Sequence, residues 1–204
     1  MKGNYVLAHR TYKWNEQVYH NRTYTHPETN ESFDLSHMAP KTIKIKYEYK
    51  DSSKNKVKGE LYVRVIFSHH CYTKAIQDCD KNTILITEYE YGVIKEHRIF
   101  DEIRYKYTFA LLNIIENISH KICRESRLKG KVIRLEEKDR SHPQKGIYII
   151  MKLKVKNENL LLYIETAHHR NNEPINAQLK KESRRFMLIL GDILKSDWNH
   201  LIKP

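Results

Sequence analysis

KTIKIKYEYK, residues 41–50, decides the fold class of this chain. Ile43, Ile45, Tyr47 and Tyr49 alternate with Lys44, Lys46, Glu48 and Lys50. Successive side chains of a β-strand point to opposite faces, so strict alternation marks a half-buried strand. The polar run Asp51–Lys56 reads as a turn, and Leu61, Val63, Val65 and Phe67 alternate in a returning strand, which completes a hairpin.

The same pattern recurs downstream. Residues 147–155 and 160–166 form a second expected hairpin around Asn157-Glu158-Asn159, and residues 131–136 supply a strand before it. Residues 83–87 and 91–100 are two further short strands, with Gly92 at a bulge or turn. Between them and the second hairpin, Tyr105, Phe109, Leu112, Ile115, Ile118 and Ile122 recur every three or four residues, the period of a helix over 101–123. Asp101 and Glu102 suit its N-terminus, where carboxylates complement the helix dipole. The run Phe186–Leu194 is too short for its period to decide between strand and helix.

Strands outnumber helices. The expected fold is α+β, an antiparallel sheet built from hairpins with one long amphipathic helix packed on it. It occupies residues 41–204 as a single domain, after an irregular Tyr/His-rich arm over residues 1–40.

The 204 residues carry 37 Lys and Arg against 25 Asp and Glu, a formal net charge of +12. With 40% hydrophobic residues and few Gly or Pro, that balance fits a globular domain and excludes collagen-like and low-complexity classes. No apolar run approaches the roughly 20 residues that span a bilayer, and the N-terminal residues lack a signal-peptide core. Three cysteines, Cys71, Cys79 and Cys123, fit reduced thiols. The expectation is a cytoplasmic protein with no membrane partner.

The charge is uneven. Residues 1–40 are neutral, whereas residues 121–156 hold 12 basic and 4 acidic side chains. Arg124, Arg127, Lys129, Lys131 and Arg134 lie in that stretch, and a stripe of this kind neutralises phosphates. The alternatives are a solvated basic face and the docking surface of an acidic protein. Arg98 and Arg170 are further phosphate-binding candidates. Twelve of the fourteen tyrosines precede residue 108, where they serve either to stack bases or, more simply, to build and rim a sheet.

The hairpins share an ending: Ser68-His69-His70 after the first and Ala167-His168-His169 after the second. Equivalent strand ends can share one edge of a sheet, which would bring four imidazoles together. Imidazole titrates near neutral pH and also ligates metals. Metal-free RNA cleavage needs a base for the ribose 2′-OH, an acid for the leaving oxygen and cations for the phosphorane. His69, His70, Tyr72, His168 and His169 are the catalytic candidates for it. A solvent-exposed histidine pair at a turn is the plain alternative. Zinc ligation lacks the usual Cys and His spacing, so no metal or other cofactor is expected. Walker, Rossmann, G-x-S-x-G, HExxH and EF-hand patterns are absent from the sequence.

FSHHCYTKA and the later EHRIFDEIRY together resemble a group of small basic proteins of bacterial phages and prophages. The resemblance spans about residues 60–190 and rests on Phe67, His70, Cys71, Tyr72, Thr73, Arg98, Phe100 and Tyr105. It implies a mobile-element setting, in which small basic α+β proteins act as ribonuclease toxins or bind host machinery. The sequence thus points to a nucleic-acid-directed protein, RNA before DNA, acting as a metal-independent endoribonuclease. The alternative is a non-enzymatic module binding nucleic acid or an acidic host protein.

Overall fold

A computed structural model describes residues 10–14, 22–76, 83–125, 132–138, 146–156, 159–170, 182–198 and 201. Strands β1 to β8 span Arg10–Trp14, Thr23–Thr25, Ser32–Asp34, Lys41–Lys50, Lys56–Phe67, Thr73–Ile76, Ile84–Glu90 and Val93–Phe100. Helix α1 spans Glu102–Glu116. Strands β9 to β13 follow over Ile122–Glu125, Val132–Lys138, Gly146–Lys156, Asn159–Arg170 and Arg184–Arg185, and α2 covers Phe186–Asp197. The fold is mixed α/β with strands predominating, as the alternation requires.

The chain divides into two compact units: residues 1–38 with 72–105, and residues 39–71 with 106–204. The N-terminal segment, expected as an arm on a single domain, thus shares a unit with residues 72–105. Three strands lie in that segment.

In the first unit β1, β7, β8 and β6 form an antiparallel sheet and β2 pairs with β3. Tyr91 and Gly92, both at positive φ, make a two-residue turn between Glu90 and Val93. Positive φ at both central positions matches the right-handed twist of a hairpin, and Gly supplies it without a Cβ penalty. Tyr24, Phe33 and Phe100 cluster with ring centroids 4.5 to 6.2 Å apart, and Tyr105 meets Phe33 edge-on at 5.3 Å. Tyr24 is a core residue.

The second unit is a seven-stranded sheet in the order β13-β9-β10-β11-β12-β5-β4. Every neighbouring pair is antiparallel except β12 and β5, which run parallel with Phe67 opposite Ile164. One face is apolar: Val63, Val65, Ile133, Leu135, Ile149, Met151, Leu162 and Ile164 are fully buried there. Helix α2 packs against β4 at one edge and against β9 and β13 at the other, so the sheet curls until both edges meet the same helix. Phe186, Ile189, Leu190 and Leu194 fill the space.

An uncovered edge strand is a template for aggregation, and β4 is covered. The Lys46 amide donates to Ser119 Oγ at 2.9 Å, and Lys195 Nζ donates to the Lys50 carbonyl at 2.6 Å. Gly191 sets the backbone of α2 directly against Glu48.

Helix α1 is shorter than its apolar period suggests. Asp101 Oδ1 accepts the Arg104 amide at 2.9 Å and caps its start. Its end is at Glu116, where the Asn117 side chain donates back to the Asn113 carbonyl. Ile118 is buried from a 3-10 turn over Ile118–His120, and Ile122 already belongs to β9. The buried positions are Thr108, Leu111, Ile114 and Ile115, while Phe109 is half exposed.

Candidate functional site

In the second unit, the outer face of the sheet departs most from what folding alone asks. Register fixes its membership. Opposite Tyr62 on β5 stands Lys44 of β4, opposite Glu60 stands Lys46, and Arg64 lies between Thr42 and Leu161 of β12. On β12, Leu161 faces Lys154 and Tyr163 faces Lys152 of β11. All are one step out of phase with the buried Val63, Val65 and Leu162, so period two sends them outward.

The result is a basic and aromatic surface. Lys44, Lys46, Arg64 and Lys154 are exposed, and Tyr62 is 72% exposed. Lys154 Nζ sits 5.4 Å from the centroid of the Tyr163 ring, a cation–π contact. The acidic residues on this side are paired: Glu48 with Lys56 at 2.8 Å, Glu165 with Lys152 at 2.7 Å, and Glu60 with Lys44. Their partnership holds the Glu60 carboxyl below its ordinary range and the Lys44 amine above its own.

Toward β9 and β10 the same face closes. Arg134 stands opposite both Arg124 and Ile150. Arg134 is only 7% exposed, with its guanidinium 5.9 Å from the centroid of the buried Tyr148 ring. Arg124 is half buried. Arg127, Lys129 and Lys131 lie outside the described residues. The basic stretch expected over 121–156 is therefore split between covered and open parts of the sheet. Its open end joins cations of the first hairpin.

Arg98, expected to bind phosphate, is instead held inside the protein. It is buried in the first unit, where Nε donates to Thr73 Oγ1 at 2.8 Å, one terminal nitrogen to the Thr73 carbonyl at 2.9 Å and the other to Glu96. Buried Glu88 is 3.7 Å away. Arg104 reaches the same Thr73 carbonyl at 2.6 Å. A guanidinium so committed holds β6 to β8 and does not face a phosphate in solution.

The histidine pairs follow the parallel pairing. β5 ends at Phe67, the Ser68 amide donates to the Ile164 carbonyl at 2.9 Å, and a 3-10 turn carries His69, His70 and Cys71 beside β12. Ser68 Oγ accepts the His70 amide at 3.3 Å, which fixes the turn. The two imidazoles lie with centroids 4.5 Å apart, His69 buried and His70 half buried. β12 runs on past Ile164 through His168, His169 and Arg170, opposite Tyr148, Ile147 and Gly146. Both pairs thus follow neighbouring strands out of the same end of the sheet; the side chains of His168, His169 and Arg170 lie outside the described residues. Tyr72 begins the next segment of the first unit, is buried, and accepts the Asp101 amide on its carbonyl.

Tyr62, Lys44, Lys46 and Arg64 were not singled out by the sequence reasoning, although the alternation held the signal. Every second residue of the first hairpin is polar, and on its outward side Lys and Arg far outnumber Glu. An excess of one sign on a single strand face is the electrostatic pattern that a polyanion would meet.

The chain belongs to the YjaZ family, whose model matches residues 18–194. Neither a curated protein nor a solved structure matches it. No helix among the described residues is long and apolar enough to cross a membrane.

Proposed function

We propose that this protein binds nucleic acid, with RNA as its substrate class, on the outer face formed by β4, β5, β12 and the adjoining end of β11. The observation that carries the reading is the joining of two sequence-distant basic segments by the parallel β5/β12 pair. Lys46 and Arg64 from the first hairpin and Lys154 from the second then share one exposed surface, on which Lys44 pairs with Glu60 and Lys152 with Glu165. Each lysine or arginine that neutralises a phosphate releases a condensed counterion, so affinity falls with salt.

Fluorescence anisotropy with a labelled RNA at increasing salt tests it. Log affinity falls linearly with log salt, and Arg64→Glu with Lys154→Glu lowers affinity and flattens the slope. Salt-independent retention, or a double variant that binds like the parent protein, overturns the reading.

A second reading, metal-independent RNA cleavage of the toxin type, is favoured by one observation: the histidine pairs follow adjacent parallel strands. One imidazole of such a group takes the 2′-OH proton while another protonates the leaving oxygen. Cleavage that survives EDTA and disappears in His70→Ala supports this reading. Intact RNA after prolonged incubation removes it and leaves the binding proposal standing.

A further inference from the structure

We infer that the outer face takes single-stranded nucleic acid and that Tyr62 is its base-stacking residue. The inference rests on the proposed interface and names its ligand class. Tyr62 occupies an outward position of β5, 72% exposed, with the aliphatic Leu61 on one side in sequence and the buried Val63 on the other. A threonine or valine would serve the strand equally well.

Its surroundings suit a base and its phosphates together. Lys44 stands directly across β4, and Arg64 follows two residues on, about 6.6 Å along the same face. Lys154 and Tyr163 extend the surface on the far side of Arg64, and there the ring already carries a cation. Tyr62 therefore offers the open π-face. Stacking on such a ring tolerates any base but requires that the base be unpaired.

A duplex meets this surface poorly. The bases of an RNA duplex are stacked on one another, its major groove is too deep and narrow for side chains to read, and its recognition rests on shape and on 2′-OH and phosphate contacts across the minor groove. The cations here lie across the plane of a sheet, on strands that continue into their neighbours. Bases splayed from a single strand can lie on that plane.

The test compares a single-stranded RNA with a duplex of the same length and sequence, titrated against the parent protein, Tyr62→Ala, Tyr62→Phe and Arg64→Glu. The inference expects Tyr62→Ala to weaken single-strand binding by about 5- to 150-fold, the range of one lost base stack. Tyr62→Phe recovers most of that loss, and duplex binding does not follow it. Arg64→Glu weakens both ligands. Equal loss on both ligands in Tyr62→Ala, or no loss on either, overturns the stacking role while the Arg64→Glu effect keeps the interface. Failure of Arg64→Glu on both ligands overturns the interface itself. Polyglutamate competing as well as the RNA of matched charge overturns the choice of nucleic acid over an acidic protein.

Discussion

Gly191→Ala is the substitution that probes most sharply how the sheet of the second unit is closed. In an ordinary helix this change is favourable by about 1 kcal/mol, because glycine loses more backbone freedom on folding. Here a Cβ at position 191 would stand 2.1 Å from the Glu48 carbonyl oxygen and 2.5 Å from its carbon, where ordinary contact begins at 3.4 Å. Both neighbours are backbone, so no rotamer change relieves the overlap. Helix α2 would have to retreat from β4 by roughly 1 Å. That loosens the Lys195 contact to Lys50 and the packing of Leu190 and Leu194. Overpacking of this kind costs about 1–3 kcal/mol, and a backbone clash belongs at the upper end. Offset by helix propensity, the net loss is about 2 kcal/mol, or a Tm lower by roughly 4–8 °C. Urea unfolding and calorimetry measure it. A Gly191→Ala protein as stable as its parent, or more so, would refute the close approach of α2 to the edge strand.

Arg98→Ala separates structure from binding: it strips the buried Glu88 and the half-buried Glu96 of their guanidinium and costs about 3 kcal/mol in urea unfolding. Where the variant is still folded, its RNA affinity equals that of the parent, and a selective loss of affinity would restore Arg98 to the interface. Burial pushes the Cys123 thiol up to about 12. Since the thiolate is the reactive form, iodoacetamide at pH 8 leaves Cys123 unmodified in the native protein and labels it after unfolding, as peptide mass spectrometry would report. The Ser36 amide and hydroxyl hold the Asp34 carboxyl below its ordinary range. A depressed carboxylate stabilises the fold fully above the unfolded-state pKa, and that contribution is lost as pH falls through the lower native value. An NMR titration should place the Asp34 midpoint below 3.8, and a midpoint at or above it would contradict the Ser36 contacts.

Strands were legible in the sequence and their global pairing was not. Ile43, Ile45, Tyr47 and Tyr49 announce β4 because one face of that strand is buried and period two is local. The same holds for β11 and β12. The parallel contact of β5 with β12 joins residues almost a hundred positions apart and leaves no trace in either strand's period. Yet it is this contact that creates the candidate interface. Helix α2 buries Phe186, Ile189, Leu190, Ile193 and Leu194 at helical spacing and exposes Asp192, Lys195 and Ser196, but Met187 and Leu188 extend its apolar run, and over so few residues a strand and a helix read alike. Helix α1 misleads in the opposite direction: Ile118 and Ile122 continue its apolar spacing from a 3-10 turn and a strand. Arg98 looked available because a sequence shows charge and not commitment. Its partners Thr73, Glu88 and Glu96 come from three strands.

The most direct test of the central claim is where RNA touches the protein. Ultraviolet cross-linking of a bound RNA, followed by mass spectrometry of the peptides, should place adducts on Lys41–Lys50, Lys56–Phe67, the Lys152–Lys156 end of β11 and Asn159–Arg170, with Tyr62 among the modified residues. Adducts confined to the first unit, or none on these strands despite salt-sensitive binding, would contradict it.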